Sequence, residues 1–131
     1  MRLYYRIKNF FVYGWDSFRR RCQRFIRGYA WSDVWNMDSW FKRTVKPMLE
    51  HLLEHHVGYP GGEISNKDWE AILREMIDCL MLMDEDAVIE YLGIADDDYS
   101  AASYQRVNAL MDEKKNRFFE LFSKWFYYLW D

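Results

Sequence analysis

A chain of 131 residues that is half apolar and 30% charged has the length of about one domain and the composition of a globular protein, which excludes a disordered or low-complexity polymer. Two cysteines, Cys22 and Cys79, are too few for a disulfide framework and fit no zinc spacing, so a reducing cytoplasm is the plain reading. The apolar runs at 10–13 and 79–83 fall far short of the roughly 20 residues that span a bilayer, and Arg2, Arg6 and Lys8 interrupt the stretch where a secretory leader would be unbroken.

The first segment, about 3–27, places Leu3, Ile7, Phe10, Phe11, Gly14, Phe18, Cys22, Phe25 and Ile26 on one helical stripe. Gly14 weakens its middle and predicts a break there. Gly28 is a natural stop. The segment is strongly basic: residues 1–27 hold eight Lys and Arg against Asp16 alone, a net of +7. The other 104 residues hold 10 basic and 20 acidic side chains, a net of −10. The second segment opens at Ser32, read as an N-cap, with Asp33 in the positive first turn. Its stripe is Val34, Met37, Phe41, Val45, Met48, Leu52 and His55. Pro47 lies inside it, lacks an amide proton and crowds the preceding turn, which predicts a kink or break near Lys46. Gly58 and the turn-rich 59–62 close it.

The third segment starts at Ser65, with Asp68 three residues on as a variant capping box. Trp69, Ile72, Leu73, Met76, Ile77, Leu80 and Met83 make its apolar face. After the acidic 84–86, residues 87–92 form a short helix closed by Gly93, and 96–98 make a capping loop. The last segment, 100–129, carries Tyr104, Val107, Met111, Phe118, Leu121, Phe122, Trp125 and Leu129 on one side. Its end, 125–130, is almost all rings. These cannot share one core, because neighbouring helical residues point about 100° apart. Strict alternation is rare throughout. The pattern therefore predicts an all-α, single-domain helical bundle of four to five helices. A basic aromatic helix at 1–28 leads into a helical core at 32–131.

The sharpest chemical string is His51-Leu52-Leu53-Glu54-His55, an H-x-x-E-H pattern that sets two imidazoles one turn apart with a carboxylate between them. A zinc hydrolase through His51, Glu54 and His55 is the remote alternative, since a third ligand and a cleft are not assignable. The ordinary use of His55 and His56 is to meet the negative end of their helix. The second cluster is Arg19, Arg20 and Arg21 with Arg24 and Arg27, interleaved with Phe18, Phe25 and Tyr29. The arginine stems are expected first on the acidic body of the chain, second on nucleic acid and last on a membrane surface. The stretch 84–98 carries seven acidic residues and no Lys or Arg. It reads as a solvated loop before it reads as an imitation of a phosphate backbone. Asp33 with Asp38, and Glu75 with Asp78, read as surface charges and caps rather than catalytic pairs. No nucleophile motif and no phosphate-binding glycine loop is present. A binding protein is expected, not an enzyme, with no cofactor. Trp125 and Trp130 are its candidate contacts alongside the arginines.

Several stretches together resemble a family of small hypothetical proteins encoded by tailed bacteriophages. The resemblance lies in Phe25-Ile26-Arg27-Gly28-Tyr29, Asp33-Val34-Trp35-Asn36-Met37-Asp38, the helix holding Pro47, and Gly58-Tyr59-Pro60. It continues in Trp69-Glu70-Ala71-Ile72-Leu73 and Phe119-Glu120-Leu121-Phe122-Ser123-Lys124-Trp125-Phe126, and ends in Leu129-Trp130-Asp131. It covers most of the chain and departs most between Asp84 and Asp112. The family carries no transferable activity. The resemblance implies a phage product in bacterial cytoplasm that binds and redirects a host or phage protein, inhibitors of host defence such as CRISPR among them. The charge asymmetry further predicts that the basic arm packs on the aromatic C-terminal helix. The same pairing can be made across a two-fold axis to give a homodimer.

Overall fold

The computed structural model describes residues 2–130, with side chains from residue 12 onward. The protein is all-α, with five helices and no strand among the described residues. These are α1 (Arg2–Arg27), α2 (Met37–His55), α3 (Asn66–Met81), α4 (Glu85–Leu92) and α5 (Ala101–Trp125). Short 3-10 turns at Trp31–Val34 and Phe126–Tyr128 follow α1 and α5. The chain divides into two compact units, Met1–Phe41 and Lys42–Asp131.

In the first unit, α1 runs unbroken for 26 residues, so the break expected at Gly14 does not occur. One glycine costs a helix interior only about 1 kcal/mol relative to alanine, too little to interrupt a ladder that is regular on both sides. The side chains of Leu3, Ile7, Phe10 and Phe11, the first half of the expected apolar stripe, lie outside the described residues. The helix stops where expected: Gly28 takes φ +79° and its amide donates to the Arg24 carbonyl at 2.9 Å. The entry into α2 differs from expectation. Ser32 is not an N-cap; it lies inside the 3-10 turn, and α2 begins at Met37. The reason is Asp33, which is drawn inward instead of facing solvent at a helix start (7% exposed).

The second unit is a helical bundle centred on α3 and α5. Ser65 caps α3 as its sequence predicts. Its Oγ accepts from the Asp68 amide at 3.2 Å, and the Asp68 carboxylate accepts from the Ser65 amide at 2.9 Å. The Ser65 hydroxyl, which donates to the same carboxylate at 2.6 Å, and then the Ser65 amide hold the Asp68 carboxyl below the usual carboxylate range. Asp84 caps α4, Gly93 closes it in the left-handed region at φ +64°, and Ser100 caps α5. Pro47 does not break α2, which is continuous through it. A proline removes one amide bond, at a cost of about 3 kcal/mol. Beyond it, Leu49 and Leu52 are buried, and ahead of it the Lys42 ammonium donates to the Met83 carbonyl at 3.1 Å. Both contacts lie within the second unit, which holds α2 from Lys42 onward.

The main core lies along the α3–α5 seam. Trp69, Leu73, Met76 and Leu80 of α3 are buried, as are Phe118, Leu121 and Trp125 of α5, and the Trp69 and Trp125 rings meet edge to face at 5.7 Å. Arg117 of α5 reaches Glu75 of α3 with a forked contact, 2.6 Å from Nε to Oε1 and 3.2 Å from Nη2 to Oε2. Both side chains are nearly half exposed, so the pair orients the helices more than it stabilises them. A second cluster, Leu82, Val88 and Val107 with Ile89, Leu92, Leu110 and Met111 against it, seats α4 on the first half of α5. Trp69 is 1% exposed and carries the larger seam. Trp69→Ala should cost about 3–5 kcal/mol in urea unfolding. A loss below about 1 kcal/mol would show that the seam does not rest on this ring.

Candidate functional site

The end of α1 is organised around one carboxylate. Asp33 accepts from Arg24 through both oxygens, Nε to Oδ2 at 2.9 Å and Nη2 to Oδ1 at 2.7 Å, and from the buried Ala30 amide at 2.8 Å. The Asp33 hydrogen bond holds the Arg24 guanidinium above its ordinary range. Gln23 accepts from the Trp31 amide at 3.0 Å, and Arg27 donates to the Tyr29 carbonyl at 3.1 Å while lying over the Tyr29 ring. Of the five arginines singled out by sequence, Arg24 and Arg27 therefore shape this turn. Arg19, Arg20 and Arg21 are exposed. The large apolar side chains Trp15, Phe18, Phe25 (92%) and Ile26 (81%) on the same helix are exposed too.

In the second unit an apolar groove of about 550 Å³ opens between α2 and the end of α5. Leu49 and Leu52 are buried at it; Val45, Phe122 and Leu129 are half-buried; Met48 and Phe126 are exposed at its rim. Phe118, Phe122 and Phe126 form a ring ladder along α5, with centroids 5.3 and 5.5 Å apart. Spacing alone missed this groove. The stripe of α2 and the ring-rich end of α5 were both visible, but the gap between them depends on where the chain turns.

His51 stands at the groove edge and stacks on His55 with ring centroids 4.3 Å apart. The His55 Nδ1 faces the His51 carbonyl at 3.1 Å, the ordinary use of a ring one turn from a helix end. Glu54 is exposed, and no group of three His, Cys, Asp or Glu side chains among the described residues is placed to hold a metal. Trp125 is a core residue rather than a surface contact, at 8% exposure, because its position falls on the α3-facing side of α5. Trp130 is exposed, with its indole N–H donating to the Tyr127 carbonyl at 3.0 Å.

The acidic stretch 84–98, expected as a solvated loop with a short helix at 87–92, is more than half helix, since α4 already starts at Glu85. Asp84 caps that helix. Asp98 accepts from the Ser103 hydroxyl and from the Ser100 amide, chiefly the former, which holds its carboxyl low. Burial pushes the Cys79 thiol up, so this cysteine behaves as a small hydrophobic residue. No helix is long and apolar enough to cross a membrane among the described residues. Comparison with protein families, with curated proteins and with solved structures gave no match.

Two outcomes follow from this geometry. His56 places Nδ1 3.0 Å from the Leu52 carbonyl and Nε2 2.9 Å from the Asn66 side-chain oxygen, whose orientation is fixed because the Asn66 amide donates to Glu70 at 2.9 Å. Both ring nitrogens face acceptors, so the protonated ring is favoured, and the Asn66 contact is the main cause of a pKa raised above 6.5. A raised folded-state value stabilises the α2–α3 junction fully below about pH 6.5 and loses that contribution as pH rises through the shifted value. An NMR titration should place His56 above the ordinary imidazole value, and Asn66→Ala should return it toward that value. For the first unit, Asp33→Ala should abolish protection of the Ala30 amide in hydrogen exchange, a local loss of about 1–3 kcal/mol. Asp33→Asn, which keeps one acceptor, should give an intermediate result. Unchanged protection in both variants would remove Asp33 from this role.

Proposed function

We propose that the chain is a small phage-encoded, non-enzymatic binding protein. In this reading it acts in the host cytoplasm by docking on a host or phage macromolecule, with inhibition of a host-defence system such as CRISPR as one form of that activity. The phage-like sequence patches support the origin. The observation that carries the binding reading is the apolar groove between α2 and the end of α5, with rings at its rim and buried leucines behind them. Exposed apolar surface that is concave and lined by rings on neighbouring helices suits the apolar face of a partner helix. Aromatic and methionine side chains supply area and adaptability at such contacts. The absence of an assignable catalytic constellation in the sequence is consistent with this and adds no independent weight.

Met48 and Phe126 are exposed at 65% and 53%, so both can be changed with little effect on folding. Affinity capture from lysate of infected host cells should recover a defined protein with the wild type. Met48→Asp with Phe126→Asp should weaken that capture at least tenfold, because two charges then enter an apolar contact. Equal recovery by wild type and double variant, with helicity unchanged by circular dichroism, would remove the groove from the binding role.

A further inference from the structure

The described part of α1 sorts its residues by chemistry around the helix. Trp15, Phe18, Cys22, Phe25 and Ile26 fall on one side at helical spacing, and Arg20, Arg24 and Arg27 fall on the other. Arg19 and Arg21 lie between the two, one on each flank of the apolar side. A helix of 26 residues is about 39 Å long at 1.5 Å per residue. Its apolar side is not used up in a core: Trp15 is 67% exposed, Phe18 58%, Phe25 92% and Ile26 81%. Trp31 and Trp35, in the turn that follows, are also exposed.

We propose that α1 is an interfacial helix that lies in the surface of an anionic lipid membrane, with Trp15, Phe18, Phe25 and Ile26 in the acyl boundary and the arginines at the headgroups. Four observations select this occupant. The segment 1–27 has a net charge of +7, complementary to anionic headgroups. Apart from Tyr13, which falls among the arginines, the rings of the described part of α1 lie away from Arg20, Arg24 and Arg27, as an interfacial helix needs. A single-stranded nucleic-acid groove would instead set stacking rings beside cations on one face. The flanking Arg19 and Arg21 can bend their charged ends up to the phosphates while their stems stay apolar. Tryptophan is favoured at this boundary, where an apolar ring and a polar N–H are both accommodated. Sequence alone ranked a membrane last because it weighed charge; the exposed rings change the ranking. This inference uses α1 and not the groove of the second unit, so either can fail without the other.

The test is co-sedimentation of the full chain with vesicles of phosphatidylcholine alone or mixed with phosphatidylglycerol. Binding is expected to the mixed vesicles and not to the neutral ones. A triple variant, Phe18→Gln, Phe25→Gln and Ile26→Gln, leaves the charge untouched and should lower partitioning roughly a hundredfold, since each buried CH₂ group strengthens membrane binding several-fold. Arg19→Gln, Arg20→Gln and Arg21→Gln together should lower it at least tenfold, at about fivefold for each cation near the surface. Circular dichroism of each variant without lipid checks that α1 is retained. No sedimentation with anionic vesicles at low salt overturns the proposal. So does sedimentation that the apolar triple variant leaves unchanged, which would make the arm a reader of charge only. Salt-steep binding to duplex DNA or RNA that survives in the apolar variant, with no vesicle binding, would assign the arm to nucleic acid.

Discussion

The seam between α3 and α5 is the contact on which the second unit depends. It joins two helices separated in sequence by a short helix and a turn, and it does so with few, large side chains. Trp69 and Phe118 are almost fully buried, and Trp125 closes one end against Trp69. Large rings remove much area from water for each residue ordered, which suits a chain of this size. The other features of the unit are arranged around that seam. α4 rests on the earlier half of α5 through a small aliphatic cluster, and α2 brings Leu49 and Leu52 into burial. The forked Arg117–Glu75 contact fixes the register of one helix on the other.

The elements whose ends are set by local chemistry were legible from the sequence. Ser65 with Asp68 before α3, Gly93 after α4 and Gly28 after α1 satisfy or terminate backbone groups within a few residues of themselves, so their reading needs no knowledge of the fold. The misreadings share the opposite property. Gly14 and Pro47 are weak points whose cost is local but whose tolerance is decided by the rest of the helix. Ser32 looked like a cap because the residue beside it looked like a helix-start carboxylate. Asp33 instead turns back nine residues to Arg24, and a contact at that separation leaves no periodic signal.

The candidate surfaces were partly legible in the same way. The excess of rings at 125–130 was visible, and the 100° rule correctly implied that they would divide. Which ring went inward was not visible: Trp125 meets Trp69 in the core, while Phe126 and Leu129 line the groove. The H-x-x-E-H string was easy to see, yet its spacing is also that of two rings stacked near a helix end, which is what His51 and His55 form. The acidic run 84–98 read as a solvated loop around a short helix at 87–92, and that helix starts two residues earlier, at Glu85, because Asp84 caps it.

The small size of the Asp33 fork has an evolutionary consequence. One carboxylate, one guanidinium and one buried amide tie the end of α1 to the turn after it. The exposed positions at 15, 18, 19, 20, 21, 25 and 26 lie outside this fork, and exposed substitutions generally change stability by no more than about 0.5 kcal/mol. Selection can therefore act on those positions almost independently of foldability. Lineages of this protein should keep the fork and the ring seam while the outward face of α1 drifts to follow whatever it touches.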